Sequence, residues 1–392
     1  MIPVNEPLLT GNEKKYLTEC IDTGWISSDG PYVRQFEELF AAYVGVGEGV
    51  AVCNGTAALE TALYAVGVGQ GDIVVMPTFT IISCAIAALR LGARVALVDI
   101  EPETWCMDVE QLIDVIESEA SKKKGKLKAI MPVHIYGHPV DMDAVLEIAE
   151  VYGLVVIEDA AEVHGAEYKS RLSKSGVEKG DGVWKKCGSL GHAAAFSFYA
   201  NKIVTTGEGG MVVTNDPETA ERARSYRNLC FEVERRFYHT EIGYNFRMTN
   251  LQAAVGLAQL ERIDEFIQKK RRLGDYYRQK LREMPGVKLQ KERSWARSVY
   301  WMYCIELDPG LGVDAVTLQQ RLKRKGIGTR PFFRGLHAQP VFQKMDLGFD
   351  PQGFPRADHA YRYGCYLPSG MTLTEEQVDV VCAALTEALE GK

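Results

Sequence analysis

A lysine placed directly after a buried apolar run invites a chemical explanation, and Lys202 in "AAAFSFYANKIVTTGEGG" sits in that position. A free lysine has a pKa near about 10.4 and is a poor nucleophile at neutrality until burial or a neighbouring cation shifts it. Two other stretches offer partners. "LVVIED" ends in Glu158 and Asp159, and a carboxylate at a strand end can hold a heterocyclic nitrogen protonated, making the ring an electron sink. "CNGTAAL" ends a strand in Asn54-Gly55-Thr56 and opens a helix at Ala57. Free N–H groups and the helix dipole there suit a phosphate; Thr56 adds a hydroxyl, and Ser197 in the lysine-bearing strand can meet the same group. Each feature alone has a plainer reading: a glycine turn with an N-cap, a capping box in "DAAE", a lysine in a surface hairpin. Together they describe what pyridoxal 5'-phosphate requires: an amine to join its aldehyde as an imine, a carboxylate for its pyridine nitrogen, and a cradle for its phosphate.

These groups need a scaffold that carries them to one edge. Strand-like runs at 49–54, 72–77, 93–100 and 154–159 alternate with helical patterns at 56–68, 81–92 and 141–153. That alternation predicts a mainly parallel sheet covered on both faces, with ligands at the carboxyl ends of the strands. A long helical pattern over 249–284 leaves this region, and the remainder reads as a small α+β unit. The expected division is a large domain over 1–255 and a small one over 256–392. Two polar, Lys/Gly/Ser-rich stretches, 117–128 and 169–186, read as exposed loops.

Bulk properties narrow the class. The 392 residues carry a formal net charge of −7, which disfavours nucleic acid or an anionic membrane as partner. The N-terminus lacks the basic start and apolar core of a signal peptide, and no apolar run is long enough to span a bilayer. Nine cysteines are scattered without a C-x-x-C pair, which suits reduced thiols in a cytoplasm and opposes a disulfide framework or zinc site. No P-loop occurs, and no G-x-G-x-x-G follows the first strand. "HIYGH" puts His134 and His138 four apart, but that spacing needs a helix to converge on a metal, and Gly137 and Pro139 oppose one. No metal is expected.

The ordered set "TGWISSDGPYVRQFEELFAAY", "NGTAAL", "MPVHIYGHPVDMD", "VIEDAAEVHGAEY", "GSLGHAAAFSFYANKIVTTGEGGMVVTND" and "GYNFRMTNLQAAVGLAQLE" resembles the DegT/DnrJ/EryC1/StrS family of nucleotide-sugar aminotransferases. The resemblance spans essentially the whole chain. It implies fold type I, a mainly parallel seven-stranded sheet sandwiched by helices with a smaller C-terminal α+β domain. "WISS", "ANKIVTTGEGG", "IGYNFRMTN" and "WMY" are most similar to the branch that makes GDP-perosamine.

By that resemblance Lys202 joins the cofactor and Asp159 pairs with its pyridine nitrogen. Glu162 stands near its phenolic oxygen, and Gly55, Thr56, Ala57 and Ser197 hold the phosphate. Asn245 reaches the same phosphate from a second subunit, implying a homodimer. Ser27, Arg247 and His337 fall on the substrate side, and Arg330 and Arg334 in "TRPFFRGLH" are cations that could meet a diphosphate. The implied reaction moves an amino group from L-glutamate to the 4-keto carbon of a nucleotide-linked 4-keto-6-deoxyhexose, with the GDP-linked substrate favoured over 4- or 3-amination of UDP- or dTDP-linked keto sugars, in surface polysaccharide synthesis. A sugar dehydratase of this fold carries histidine in place of Lys202, and a non-enzymatic regulator would have no use for Lys202, Asp159 and Asn245 together. Three departures stand out. Ile81 occupies a place where relatives carry an aromatic residue over the pyridine ring, with Phe79 two residues away on the same side. Gly191-His192 replaces a usual Gly-Asp, and the segment 169–186 is longer than in relatives.

Overall fold

The strand β2 (Asp72–Pro77) is apolar on both faces and buried along almost its whole length, the signature of a strand covered on two sides. It lies in a sheet with β1 (Glu48–Val52), β3 (Arg94–Val98), β4 (Lys126–Ile130), β5 (Val155–Asp159), β6 (Ala193–Ser197) and β7 (Gly210–Thr214), in the order β1-β7-β6-β5-β4-β2-β3. In this computed structural model all residues are described except 123, 174, 175, 178–180, 233, 236 and 392. Neighbours from β6 to β3 run parallel, whereas β7 runs against both β6 and β1. The sheet is the seven-stranded, mainly parallel one expected.

Helices close both faces. Gly55–Ala65 packs across β6 and β7, while Pro31–Val44 covers β1 from the other side. Under the second helix Phe40 meets Phe196 and Phe198 edge-on, with ring centroids 4.9 and 5.0 Å apart. Such pairs add specificity to the burial of their area.

The long helical pattern resolves into two helices, Asn250–Leu260 and Ile263–Leu281. Neither proline nor glycine marks the break. Arg262 leaves helical geometry at φ −117°, ψ 11° and turns back on Glu265, and the acidic pair Asp264 and Glu265 opens the second helix where its dipole favours negative charge. The second helix reaches an antiparallel sheet of four short strands, Val287–Leu289, Tyr303–Leu307, Gly364–Leu367 and Arg330–Pro331, with its own core of Tyr277, Leu281, Ile305, Leu322, Val381 and Leu385. The chain start joins this group, since Ile2 pairs with Ile327.

The stretch 169–186 differs from the loop expected. Glu167–Ser170 and Val183–Lys186 pair as antiparallel arms, with Ala296–Arg297 beside them; the tip around 174–180 lies mostly outside the described residues. Tyr168 is buried, and Trp184 packs under the cations of Lys169 and Arg297, so the arms alternate in a way their polar composition hid. The other stretch, 117–128, is largely the end of helix Val109–Lys122 and the start of β4.

Candidate active site

Because β7 is reversed, its first residue lies at the edge where its neighbours end: Gly210 stands opposite both Ser197 and Val52. A Cβ on Gly210 would lie 2.5 Å from the Asn54 carbonyl oxygen, so only glycine lets the three segments meet. Gly55 is a second such point. Its missing side chain would come within 2.7 Å of Ser197 Cβ, and this close approach brings the first turn of helix Gly55–Ala65 against Ser197. Asn54 caps the helix by accepting from the Ala57 N–H at 2.9 Å, and Thr56 donates its hydroxyl to Ser83 Oγ at 2.8 Å. The amides of Gly55 and Thr56, in the first turn, have no intrahelical acceptor.

A cavity of about 530 Å³ opens over this edge, and its wall includes Thr56, Ser197, Asp159, Glu162, Lys202 and Trp301. Gly55 and Ala57 line it too. Asp159 is buried at the end of β5; one carboxylate oxygen accepts from the Ala161 N–H at 3.1 Å and the other from the Cys84 thiol at 3.0 Å. Its neighbour Glu158 points to the opposite face, as strand alternation requires. There it accepts from the N–H groups of Gly188, Leu190 and Gly191 at 2.7, 2.8 and 2.6 Å, and contacts His134 Nε2 at 3.0 Å.

Lys202 Nζ lies 3.6 Å from Glu162 Oε1, and Glu162 Oε2 accepts from the Tyr136 N–H at 2.7 Å. Burial depresses the Lys202 amine below the ordinary lysine range, against the pull of Glu162 and Asp159. The same burial pushes Glu162 up to about 7, although Lys202 draws it down. Desolvation thus outweighs the mutual attraction on both sides of the pair. This donor set fits pyridoxal 5'-phosphate. A buried amine with depressed basicity can join the aldehyde, Asp159 can meet the ring nitrogen, Glu162 the phenolic oxygen, and the Gly55–Ala57 turn with Ser197 the phosphate.

Four anticipated residues lie away from this cavity in the single chain. Asn245 is exposed, its backbone bridged to Asn228, while its neighbour Phe246 lines the wall. Arg247 donates to Asn228 Oδ1 at 2.7 Å. Ser27 is exposed, in a loop pinned by Asn250, which donates to the carbonyls of Ser27 and Trp25. His337 is buried, 2.8 Å from Thr78 Oγ1 and 3.1 Å from Asp358, stacked on Phe354. Both of its ring nitrogens are engaged, and it is not among the wall residues. Arg330 and Arg334 are also exposed and outside the wall.

Of the two candidates for covering the ring, Ile81 is on the wall and 47% exposed. Phe79 is buried in a cluster with Tyr136, Phe332 and Phe333. His192, the substitute for an aspartate, accepts from the Val156 N–H at 3.0 Å, at the far end of the strands from Lys202. His134 is taken up by the Val140 N–H and the Glu158 carboxylate, His138 by the Pro139 carbonyl and the Arg293 N–H, and no group suited to a metal occurs among the described residues.

Among the wall residues given no role in the sequence reading are Arg90 and Trp301, the latter seen only as part of the "WMY" motif. Arg90, at the end of helix Ser83–Arg90, pairs with the buried Glu60 at 2.9 Å. Trp301 precedes a strand of the second sheet and brings its ring centroid to 3.9 Å from Lys202 Nζ. Contacts of such sequence separation leave no trace in local periodicity.

Comparison with known proteins agrees with this geometry. The model of the DegT/DnrJ/EryC1/StrS aminotransferase family matches residues 7–386. A GDP-perosamine synthase of Caulobacter vibrioides is 41% identical over 390 residues, covering 99% of this chain and 98% of that one. A GDP-perosamine synthase of Escherichia coli O157:H7 is 39% identical over 391 residues, covering 100% and 99%. Among solved structures, DesI in the presence of its TDP-sugar product superposes with a TM-score of 0.84 at 28% identity, over 100% of this chain and 93% of that one. With a family match over nearly its whole length and a cavity built for the cofactor, the chain belongs to the DegT/DnrJ/EryC1/StrS aminotransferases, enzymes that depend on pyridoxal 5'-phosphate.

Proposed function

We propose that the protein transfers the amino group of L-glutamate to C4 of GDP-4-keto-6-deoxymannose, giving GDP-perosamine. The observation that carries an aminotransferase is the meeting of Lys202, Asp159 and Glu162 with a phosphate cradle in one buried cavity. The choice of sugar is supported by the two GDP-perosamine synthases above. When bound, the coenzyme supplies a reactive aldehyde and an electron-withdrawing ring. In this reading the chain's residues do the rest. Asp159 keeps a proton on the ring nitrogen, and the Gly55–Ala57 turn and Ser197 fix the phosphate. Lys202 Nζ would take the proton from the donor's α-carbon and deliver it to the coenzyme carbon that had been the aldehyde carbon, as a positioned base and acid, and would run the same transfer in reverse for the keto sugar.

A second copy of the chain completes the site in this reading. The wall carries four acids, Glu60, Asp159, Glu162 and Glu208, against two cations, Arg90 and Lys202, among the described residues. Arg90 is already paired with Glu60. Coenzyme, glutamate and sugar nucleotide are all anionic, so further donors must come from outside. Asn245 and Arg247, exposed or partly so beside the wall residue Phe246, and Ser27, next to the exposed Trp25 and Ile26, would in this reading reach a partner's cavity. His337 then acts through Thr78, behind the wall. In this reading a large domain over 1–255 is followed by a small one over 256–392, supported by the second core around Tyr277, Ile305 and Leu385, although residues such as Phe266, Trp301 and Phe332 still pack into the first. Free cysteines among the described residues suit a reducing cytoplasm, and the kinship with GDP-perosamine synthases supports a place in envelope polysaccharide synthesis.

The test is a visible spectrum of the purified protein, followed by glutamate-dependent amination of a panel of GDP-, UDP- and dTDP-linked 4-keto sugars. Turnover of the GDP sugar, lost in Lys202→Ala, is expected. Reaction confined to dTDP sugars would move the assignment toward enzymes like DesI.

A further inference from the structure

Two side chains flank the Lys202 amine most closely, Glu162 and Trp301, and of these only Glu162 is part of the expected cofactor machinery. Glu162 Oε1 is 3.6 Å away, longer than a good hydrogen bond, and burial keeps this carboxyl neutral up to about pH 7. It is therefore an inconstant counter-ion. On the other side the indole of Trp301 presents its ring, with the centroid 3.9 Å from Nζ, well inside the range in which an aromatic face attracts an ammonium. That attraction does not titrate.

The indole is held from three directions. Its Nε1–H donates to the Asn201 carbonyl at 2.8 Å, tying the ring to the residue beside Lys202. Its ring lies nearly parallel to Tyr136, at 13° and 6.4 Å. Its own carbonyl accepts at 2.8 Å from Lys270 Nζ, which also donates to the Ser369 carbonyl at 2.5 Å. Lys270 is 3% exposed. Burial lowers its pKa to about 7. A lysine buried without an acidic partner is costly, and here it fixes the backbone beneath Trp301.

We propose that Trp301, clamped by Asn201 and Lys270, is a positioning residue that parks the Lys202 amine as ammonium whenever it is not joined to the coenzyme. The inference rests on the reading of Lys202 given above. A reaction in which this amine leaves, carries a proton and returns needs a resting place that is close, rigid and weakly polar. The ring supplies one without holding the amine as tightly as a charged carboxylate would. The other groups facing the amine are Glu162, Asp159, the Cys84 thiol and His164, with Tyr366 also on the wall. Burial raises the Cys84 thiol and lowers His164 to about 3, so both are neutral at working pH.

The experiment follows coenzyme capture by the full-length apoenzyme, reading the rate at which the visible band of lysine-bound coenzyme appears from pH 6 to 10. Only the neutral amine captures, and the ring favours the ammonium, so removing the ring must move the midpoint to lower pH. For Trp301→Leu the expected shift is about one pH unit, with Trp301→Phe between it and the natural protein. Lys270→Met, which loosens the clamp, is expected to shift it in the same direction by less. A merely structural role would reduce the amount of band without moving the midpoint. Coinciding midpoints in the natural protein and Trp301→Phe, or in Trp301→Leu if it folds, overturn the inference. A natural apoenzyme that forms no visible band, or a Lys202→Ala variant that forms a normal one, overturns the reading of Lys202 itself.

Discussion

Glu158 and Asp159 are adjacent acids at the end of one strand, and the fold gives them opposite work. Glu158 faces the loop at Gly188–Gly191, where three backbone N–H groups and His134 occupy both of its oxygens. Asp159 faces the cavity, held by one backbone N–H and one weakly donating thiol. A carboxylate saturated by its own fold stabilises; one left under-committed in a cavity has capacity for a ligand. Burial alone does not separate them, since both are almost fully enclosed. The partners do.

That contrast can be broken by substitution. Asp159→Asn should leave the fold intact and reduce glutamate-dependent turnover by about 10²–10³-fold, the cost typical of losing one preorganised electrostatic contact; near-normal turnover would place the ring's partner elsewhere. Glu158→Gln should do the reverse. It leaves buried donors facing an amide, costing about 3 kcal/mol in denaturant unfolding while the coenzyme's visible band stays at its wavelength. A shifted band would mean that the two acids are coupled across the strand.

Two smaller effects sharpen the picture. Burial raises Glu162 to about 7, so its carboxyl is neutral below that pH and gains charge as pH rises through it. A spectral or kcat limb near pH 7 is expected, absent in Glu162→Gln because an amide does not titrate. Cys84→Ala removes the one side-chain donor to Asp159 among the described residues and should cost a few-fold in turnover, about 0.5–1.5 kcal/mol. An unchanged kcat would assign the orientation of Asp159 to the Ala161 N–H alone.

The alternation of strands with helices and the chemistry at the strand ends were legible from the chain, because a buried parallel sheet writes itself as apolar runs and its ligand groups follow directly after them; the order of the strands and the reversal of β7 were not. Lys202, Asp159 and the Gly55–Ala57 turn are all of that kind. What escaped was set by distance or by alternation within polar segments. Trp301 and Arg90 enter the cavity from elements with no local reason to point there. The arms around 169–186 bury Tyr168 among lysines and serines, so composition masked the pairing. The interruption at Arg262 lacks any breaker residue, and the choice between Ile81 and Phe79 depended on which way an irregular turn rolls.

The reversal of β7 has a mechanical consequence for the lysine. A parallel successor to β6 would have to begin at the opposite edge, sending the chain across a whole face of the sheet before returning. Instead the segment between Ser197 and Gly210 leaves and re-enters at the same rim, anchored at both ends by hydrogen-bonded strands. Inside it Tyr199 bridges Gly207, and the Lys202 N–H donates to the Tyr199 carbonyl at 2.9 Å. Lys202 therefore swings from a short tether fixed on both sides, and the travel of its amine is confined to the length of its own side chain.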